Sequence, residues 1–175
     1  MNRKVWLVGL ISVLSLSALN ARAATAPIVQ IRSVAKLPTP LPKPYDADAN
    51  ADAQISAALA RAKATGKRLL VDFGGNWCPD CLILAGVMNL PDVKPFVDQH
   101  FEVVTVDIGR FNKNMKIAKA LQIPKLYAVP WIVIANPDGS IIASTYEIAD
   151  AHHASVQSKV DWLARYASET EELGN

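Results

Sequence analysis

The chain has 175 residues, of which 51% are hydrophobic and 19% are charged, and its formal net charge is +2. This length allows one domain with a proper core, and the composition is ordinary for a globular protein. No basic stripe of the kind that binds nucleic acid is present, so neither nucleic acid nor another polyanion is an expected partner.

Residues 1–23 are predicted to be a cleaved signal peptide. Arg3 and Lys4 precede the apolar run Val5–Leu19, and Ala21-Arg22-Ala23 places small residues at positions −3 and −1 of a cleavage site. The alternative, an uncleaved anchor, is less favoured because this run is short for a membrane span of about 20 residues. Cleavage removes three of the 18 basic side chains, leaving 15 against 16 acidic ones. We therefore expect an exported bacterial protein, periplasmic or secreted.

Residues 24–49 are predicted to form a proline-rich arm or linker. Four prolines between positions 38 and 44 disfavour a helix and any central strand, so Ala24–Tyr45 is expected to be extended. A tether without a binding role is the simpler interpretation of such a segment.

The folded domain is predicted to span residues 50–175 and to begin with a helix capped by Asn50 or Asp52 and ended by Gly66. Its elements follow the order α-β-α-α-β-α-β-β-α, without an internal repeat. After the first helix, the patterns predict a buried strand at Arg68–Gly74, a helix from Pro79 to Met88, a short helical piece at 92–101 interrupted by Pro95, a strand at Phe101–Gly109, an amphipathic helix at 112–123, two strands within 129–145 joined by a turn at 136–139, and a C-terminal helix at 153–173.

The two cysteines of the chain, Cys78 and Cys81, form a CxxC motif. A zinc site needs about four ligands, and the three histidines elsewhere provide no matching second half, so no metal is expected. A structural disulfide here would close too short a loop to constrain the unfolded chain much. The strand–turn–helix context instead predicts a redox-active dithiol.

The position of the motif suggests a role for each sulfur. Cys78 lies at the start of a helix, with Pro79 at the first helical position, where free backbone N–H groups and the helix dipole favour a thiolate. Cys81 lies one turn further on and faces the same way. We therefore expect Cys78 to attack a disulfide and Cys81 to resolve the mixed disulfide. Asp80 opposes this effect, because a nearby carboxylate disfavours both thiolates.

The stretch VDFGGNWCPDC resembles the active-site strand and turn of thioredoxins, with Asp72 six residues before Cys78 and Trp77 immediately before it. The resemblance extends to Val129-Pro130 ahead of the strand WIVIA and to the NPDG hairpin. The segment NLPDVKPFVDQHFEVVTVDI is similar, more narrowly, to exported thioredoxin-like domains typified by the C-terminal domain of bacterial membrane thiol:disulfide interchange reductases. Together these matches cover roughly Asp52–Tyr166.

The resemblance implies a thioredoxin-like three-layer α/β/α fold with a central mixed sheet, the CxxC at a helix N-terminus and a cis-proline, Pro130, opposite. It implies a thiol:disulfide oxidoreductase whose only redox group is the disulfide between Cys78 and Cys81, without a cofactor. Asp72 would be a buried carboxylate that helps to move the proton of Cys81, and burial should raise its pKa.

The resemblance also implies supporting residues and partners. Val129 would offer its backbone to a bound peptide beside Pro130, and Trp77 would form the rim of the site. The expected substrates are disulfide-bearing exported proteins or small disulfides, with a membrane or soluble thiol as electron donor. Reduction is the expected direction. A disulfide oxidase or isomerase of the same fold and a non-catalytic binding module are the alternatives.

Three features of the sequence depart from the family pattern. An apolar position near Val103 replaces the lysine that pairs with the buried carboxylate in ordinary thioredoxins, and Ala85 occupies the place of a glutamate in the membrane reductase domain. Gly74-Gly75 replaces the usual aromatic–alanine pair. Because glycine has no side chain, this pair predicts a more open or flexible approach to the cysteines.

Overall fold

The computed structural model describes residues 24–149 and 155–167, so the predicted signal peptide and both ends of the predicted C-terminal helix lie outside the described residues. No helix within these ranges is both long and apolar enough to cross a membrane. The elements are α1 (Ala51–Thr65), β1 (Arg68–Gly74), α2 (Pro79–Met88), α3 (Lys94–His100), β2 (Phe101–Asp107), α4 (Met115–Ala120), β3 (Trp131–Ala135), β4 (Ile141–Thr145) and α5 (Val156–Arg165), with short 3-10 turns at Val34–Lys36 and Glu147–Ala149.

The four strands form one mixed sheet in the order β2-β1-β3-β4. β1 pairs parallel with β2 and antiparallel with β3, which also pairs antiparallel with β4. Alternate residues of the central strands enter different cores: Leu70 and Ile132 pack with α2 and α5, whereas Val71 and Val133 pack with α1 and α4. The three-layer α/β/α fold with a mixed sheet is therefore confirmed.

Local capping signals set the helix ends. Asn50, one of the two predicted caps, accepts a hydrogen bond from a backbone N–H of the first turn of α1 over 3.0 Å. Gly66 ends α1 in the left-handed conformation, with φ of 74°. At α5, Ser155 caps the helix in the same way over 3.1 Å.

Three elements differ from their predicted bounds. α4 is shorter than its apolar pattern suggests, because Asn114 and Gln122 on either side of it have positive φ angles of 58° and 62°. β2 ends at Asp107, whose carboxylate accepts a hydrogen bond from the Gly109 N–H over 2.8 Å and turns the chain out of the sheet. Pro95 lies in the first turn of α3 and does not interrupt it.

The predicted arm, residues 24–49, packs against the domain and is not a free tether. Val29, Leu37 and Tyr45 are buried. The Val29 N–H donates to Oε1 of Gln157 on α5 over 2.9 Å, and the Gln157 amide donates back to the arm. Prolines keep this segment out of the sheet, but its apolar side chains are buried against α2 and α5. The boundary between arm and domain stays a prediction.

Candidate active site

The two sulfurs lie together at the N-terminus of α2. Cys78 is the N-cap residue, and its Sγ accepts a hydrogen bond from the backbone N–H of Cys81 over 3.2 Å. The Cys78 thiol donates to the carbonyl oxygen of Val129, 3.6 Å away. Both cysteines are thiols in the structure. Pro79 occupies the first turn, where its missing N–H costs nothing, so the local sequence starts a helix directly after the first sulfur.

The surroundings make the two thiols unequal. Hydrogen bonding from the Cys81 thiol, reinforced by the Cys81 backbone N–H, lowers the pKa of Cys78 to about 7 against the opposing effects of burial and Asp80. The interaction with Cys78, together with burial, raises the pKa of Cys81 well above its ordinary value. Cys78 also keeps 5% of its surface exposed, whereas Cys81 keeps none. Cys78 is therefore the more acidic and the more accessible sulfur.

Asp72 lies on β1 and is completely buried. Its Oδ2 accepts a hydrogen bond from the Tyr45 hydroxyl over 2.7 Å, and its Oδ1 has no hydrogen-bond partner in the described part of the chain. Burial raises the pKa of Asp72 to about 7, the Tyr45 bond opposes that rise, and the nearby Cys78 adds to it. A carboxyl with this pKa can both take up and release a proton near neutral pH.

Tyr45 is the residue of this site that the sequence interpretation missed. Its ring stands where a side chain at position 74 would be, since a Cβ on Gly74 would lie 2.6 Å from Cζ of Tyr45. The indole of Trp77 covers Gly75 in the same manner. The prediction of an open approach at Gly74-Gly75 is therefore wrong, because the rings of Tyr45 and Trp77 fill the space.

The remaining predicted residues surround the cysteines. The Val129–Pro130 peptide bond is cis, as the resemblance implies, and Pro130 is buried beside the site. Trp77 packs against the cysteines and Tyr45, donates through Nε1 to a carbonyl oxygen, and carries the Arg110 guanidinium 4.6 Å above its ring. Asp80 is half-buried. No cluster of three potential metal ligands occurs within residues 24–149 and 155–167.

A mixed sheet, a CxxC at a helix start and a cis-proline beside it define the class of thioredoxin-like disulfide oxidoreductases. A thioredoxin-like family model matches residues 50–137. The structure is similar to a disulphide isomerase from Xylella fastidiosa Temecula1, with 36% sequence identity, a TM-score of 0.67, and coverage of 71% of this chain and 97% of that chain. The chain belongs to the thioredoxin-like family, and it is a thiol:disulfide oxidoreductase, as the sequence predicted.

Two further solved structures are similar at lower identity. The oxidised C-terminal domain of DsbD from Neisseria meningitidis shares 19% identity, with a TM-score of 0.48 and coverage of 71% of this chain and 99% of that one. A mutant thioredoxin from Halobacterium salinarum NRC-1 shares 20% identity, with a TM-score of 0.43 and coverage of 65% of this chain and 86% of that one. Among curated proteins, a search found no match to this chain.

Proposed function

We propose that this protein is an exported enzyme that reduces disulfides in proteins or small molecules through Cys78 and Cys81. The observation that carries this proposal is the pairing of an acidic, slightly exposed sulfur with a buried, less acidic one at the start of α2. A membrane or soluble thiol restores the dithiol after each turnover. The protein needs no cofactor for this cycle, since its own sulfurs carry both electrons.

The reaction has two exchange steps. The Cys78 thiolate attacks a substrate disulfide, forms a mixed disulfide, and releases one substrate thiolate. Asp72 then accepts the proton of Cys81, and the Cys81 sulfur attacks Cys78 and releases the second substrate thiolate. Two electrons pass from the protein to the substrate, and the Cys78–Cys81 disulfide remains. A dithiol donor reverses these steps on the protein and is itself oxidised.

The acidity of Cys78 supports reduction as the direction. Strongly oxidising relatives stabilise the attacking thiolate far more, with a pKa of roughly 3.5, and this stabilisation favours their reduced form. In this chain burial and the charge of the Asp80 carboxylate work against the thiolate, so the pKa of Cys78 falls only to about 7. A less stabilised thiolate makes the protein a better electron donor.

Disulfide isomerisation is the second candidate, because the relative with 36% identity is a disulphide isomerase. Equilibration with glutathione distinguishes the two functions. For a reductase we expect a potential of about −270 mV and catalysis of insulin reduction, whereas an isomerase is expected to have a potential of about −180 mV and to reactivate scrambled ribonuclease. Cys78→Ser is the inactive control in both assays. A potential of about −120 mV would contradict the reductase proposal.

Export is also open to direct measurement. When the full chain is expressed in a Gram-negative host, we expect the protein in the periplasmic fraction with Ala24 as its first residue. Ala21 and Ala23 are the small residues that signal-peptide cleavage requires at positions −3 and −1. Intact mass and N-terminal sequencing identify the first residue of the purified protein. Ala23→Leu is the matched control, since a bulky residue at −1 should block cleavage. Recovery of wild-type protein in the cytoplasm with residues 1–23 intact would contradict export.

A further inference from the structure

The predicted arm carries a tyrosine, Tyr45, into the redox site. Tyr45 is only 2% exposed, and its ring forms one buried cluster with Cys78 and Cys81. Its hydroxyl donates a hydrogen bond to Oδ2 of Asp72 over 2.7 Å. The titratable groups that act on this hydroxyl are Asp72 on β1 and Cys81 on α2. The exchange steps described above give Tyr45 no part.

Polar contacts anchor this part of the arm on two sides of the site. The Tyr45 N–H donates to Oδ1 of Asn76 over 3.2 Å, and Nδ2 of Asn76 donates back to the Tyr45 carbonyl over 2.7 Å. Oγ1 of Thr105 donates to the carbonyl of Pro44 over 2.8 Å. Asn76 belongs to the turn before the CxxC and Thr105 to β2, so Tyr45 is fixed relative to both.

The space for the tyrosine ring depends on a glycine. Gly74 lies two residues after Asp72 and therefore on the same face of β1. A Cβ at this position would lie 2.6 Å from both Cζ and Oη of Tyr45, which is closer than a Cβ atom approaches non-bonded atoms in proteins. The hydroxyl reaches Asp72 only because position 74 has no side chain.

A neutral hydrogen-bond donor, such as the Tyr45 hydroxyl, has two effects on a buried carboxylate. Its hydrogen bond favours the ionised form, and here the Tyr45 bond partly offsets the rise that burial causes in the pKa of Asp72. The bond also holds Oδ2 of Asp72, while Oδ1 stays buried without a partner in the described chain. One oxygen is oriented, and the other is free to accept a proton.

We propose that Tyr45 is a positioning residue for the second exchange step: its hydroxyl orients the Asp72 carboxylate and favours its ionised form, so that Asp72 can accept the proton of Cys81. This assignment rests on the proposed function, because it requires Cys81 to attack a mixed disulfide on Cys78. The proton leaves Sγ of Cys81 for Asp72, the new sulfur–sulfur bond forms, and the substrate thiolate departs. The arm is then part of the redox site.

The test uses the reduced mature protein and 5,5′-dithiobis(2-nitrobenzoate) in a stopped-flow spectrometer. Release of the first coloured thiolate reports the attack by Cys78, and release of the second reports resolution by Cys81. For Tyr45→Phe we expect the first phase to stay within about twofold of wild type. The second phase should slow by about tenfold at pH 7, with the midpoint of its pH profile about one unit higher, because a hydrogen bond to the ionised Asp72 is lost.

Three variants serve as comparisons. Tyr166→Phe, which removes a hydroxyl from a half-buried ring packed on Trp162 of α5, should behave as wild type. Gly74→Ala keeps the Tyr45 hydroxyl but displaces the ring, so it should also slow the second phase. In an Asp72→Asn background, Tyr45→Phe should cause no further change in the pH profile, because its effect passes through the carboxylate.

Two outcomes would overturn the assignment. One is a second phase in Tyr45→Phe with the wild-type pH profile. The other is an equal slowing of both phases at every pH together with a lower Tm, which would make Tyr45 a packing residue. If wild-type protein releases no second thiolate at all, the proposed function itself fails and the role of Tyr45 falls with it. The two failures are thus distinguishable.

Discussion

Replacing Asp72 with asparagine is expected to stabilise the protein at neutral pH. The pKa of Asp72 is about 7 in the folded protein and 3.8 as an ordinary carboxyl. Between these values the folded chain holds a proton that the unfolded chain has lost, so the free energy of unfolding falls as pH rises from about 4 to about 7. Asparagine removes this penalty, and we expect a gain of about 2 to 4 kcal/mol above pH 7.

The pH dependence separates this effect from ordinary packing changes. In urea unfolding at several pH values, the stability of Asp72→Asn relative to wild type should be lowest near pH 4 and should rise steadily up to pH 7. An amide buried with one unpaired group costs about 1 to 3 kcal/mol, but this cost does not vary with pH. Asp48→Asn, at an exposed position of the arm, is the matched control and should show no such trend.

The same substitution should slow the second exchange step. Asparagine cannot accept the Cys81 proton, and the loss of a general base costs about 100-fold in rate at pH 8. The attack by Cys78 should change far less, because the main influences on the pKa of that sulfur are Cys81, burial and Asp80. A variant that is more stable but resolves mixed disulfides at the wild-type rate would contradict the role of Asp72 as proton acceptor.

Elements with local signals could be predicted from the sequence. β1 has the predicted range Arg68–Gly74, because a largely apolar run flanked by polar residues and glycine must be buried on both faces. α2 starts after Cys78, as Pro79 indicates. A periodic apolar pattern does not, however, reveal backbone conformation, and the positive φ angles at Asn114 and Gln122 shorten α4 without any change in that pattern.

The path of the arm could not be predicted, because it depends on distant residues. Val29 and Gln157 are 128 positions apart, and prolines exclude regular structure without indicating which surface an extended segment covers. One signal for Tyr45 was available. A buried Asp72 without a charged neighbour requires a neutral donor, and Gly74 leaves room for that donor on the same face of β1.

Replacing Cys81 with alanine is expected to trap mixed disulfides and to reduce insulin turnover to background. Cys78 can still attack, but no second sulfur is available to release the substrate. The measurement is capture of disulfide-linked proteins on tagged Cys81→Ala, followed by release with a reductant and non-reducing electrophoresis. Cys78→Ser is the matched control and should capture nothing, because Cys81 is completely buried.

The Cys81→Ala substitution should also change how the rate of attack by Cys78 depends on pH. The Cys81 side chain is the largest influence that lowers the pKa of Cys78, so its removal moves that pKa from about 7 back towards the ordinary value of 9.0. The thiolate fraction at pH 7 then falls, although the remaining thiolate is more nucleophilic and partly offsets this loss. Trapping should therefore be several times faster at pH 8.5 than at pH 7. Equal trapping rates at both pH values would show that the Cys81 thiol does not set the pKa of Cys78. Mixed disulfides captured on Cys78→Ser would show that Cys81, and not Cys78, attacks first.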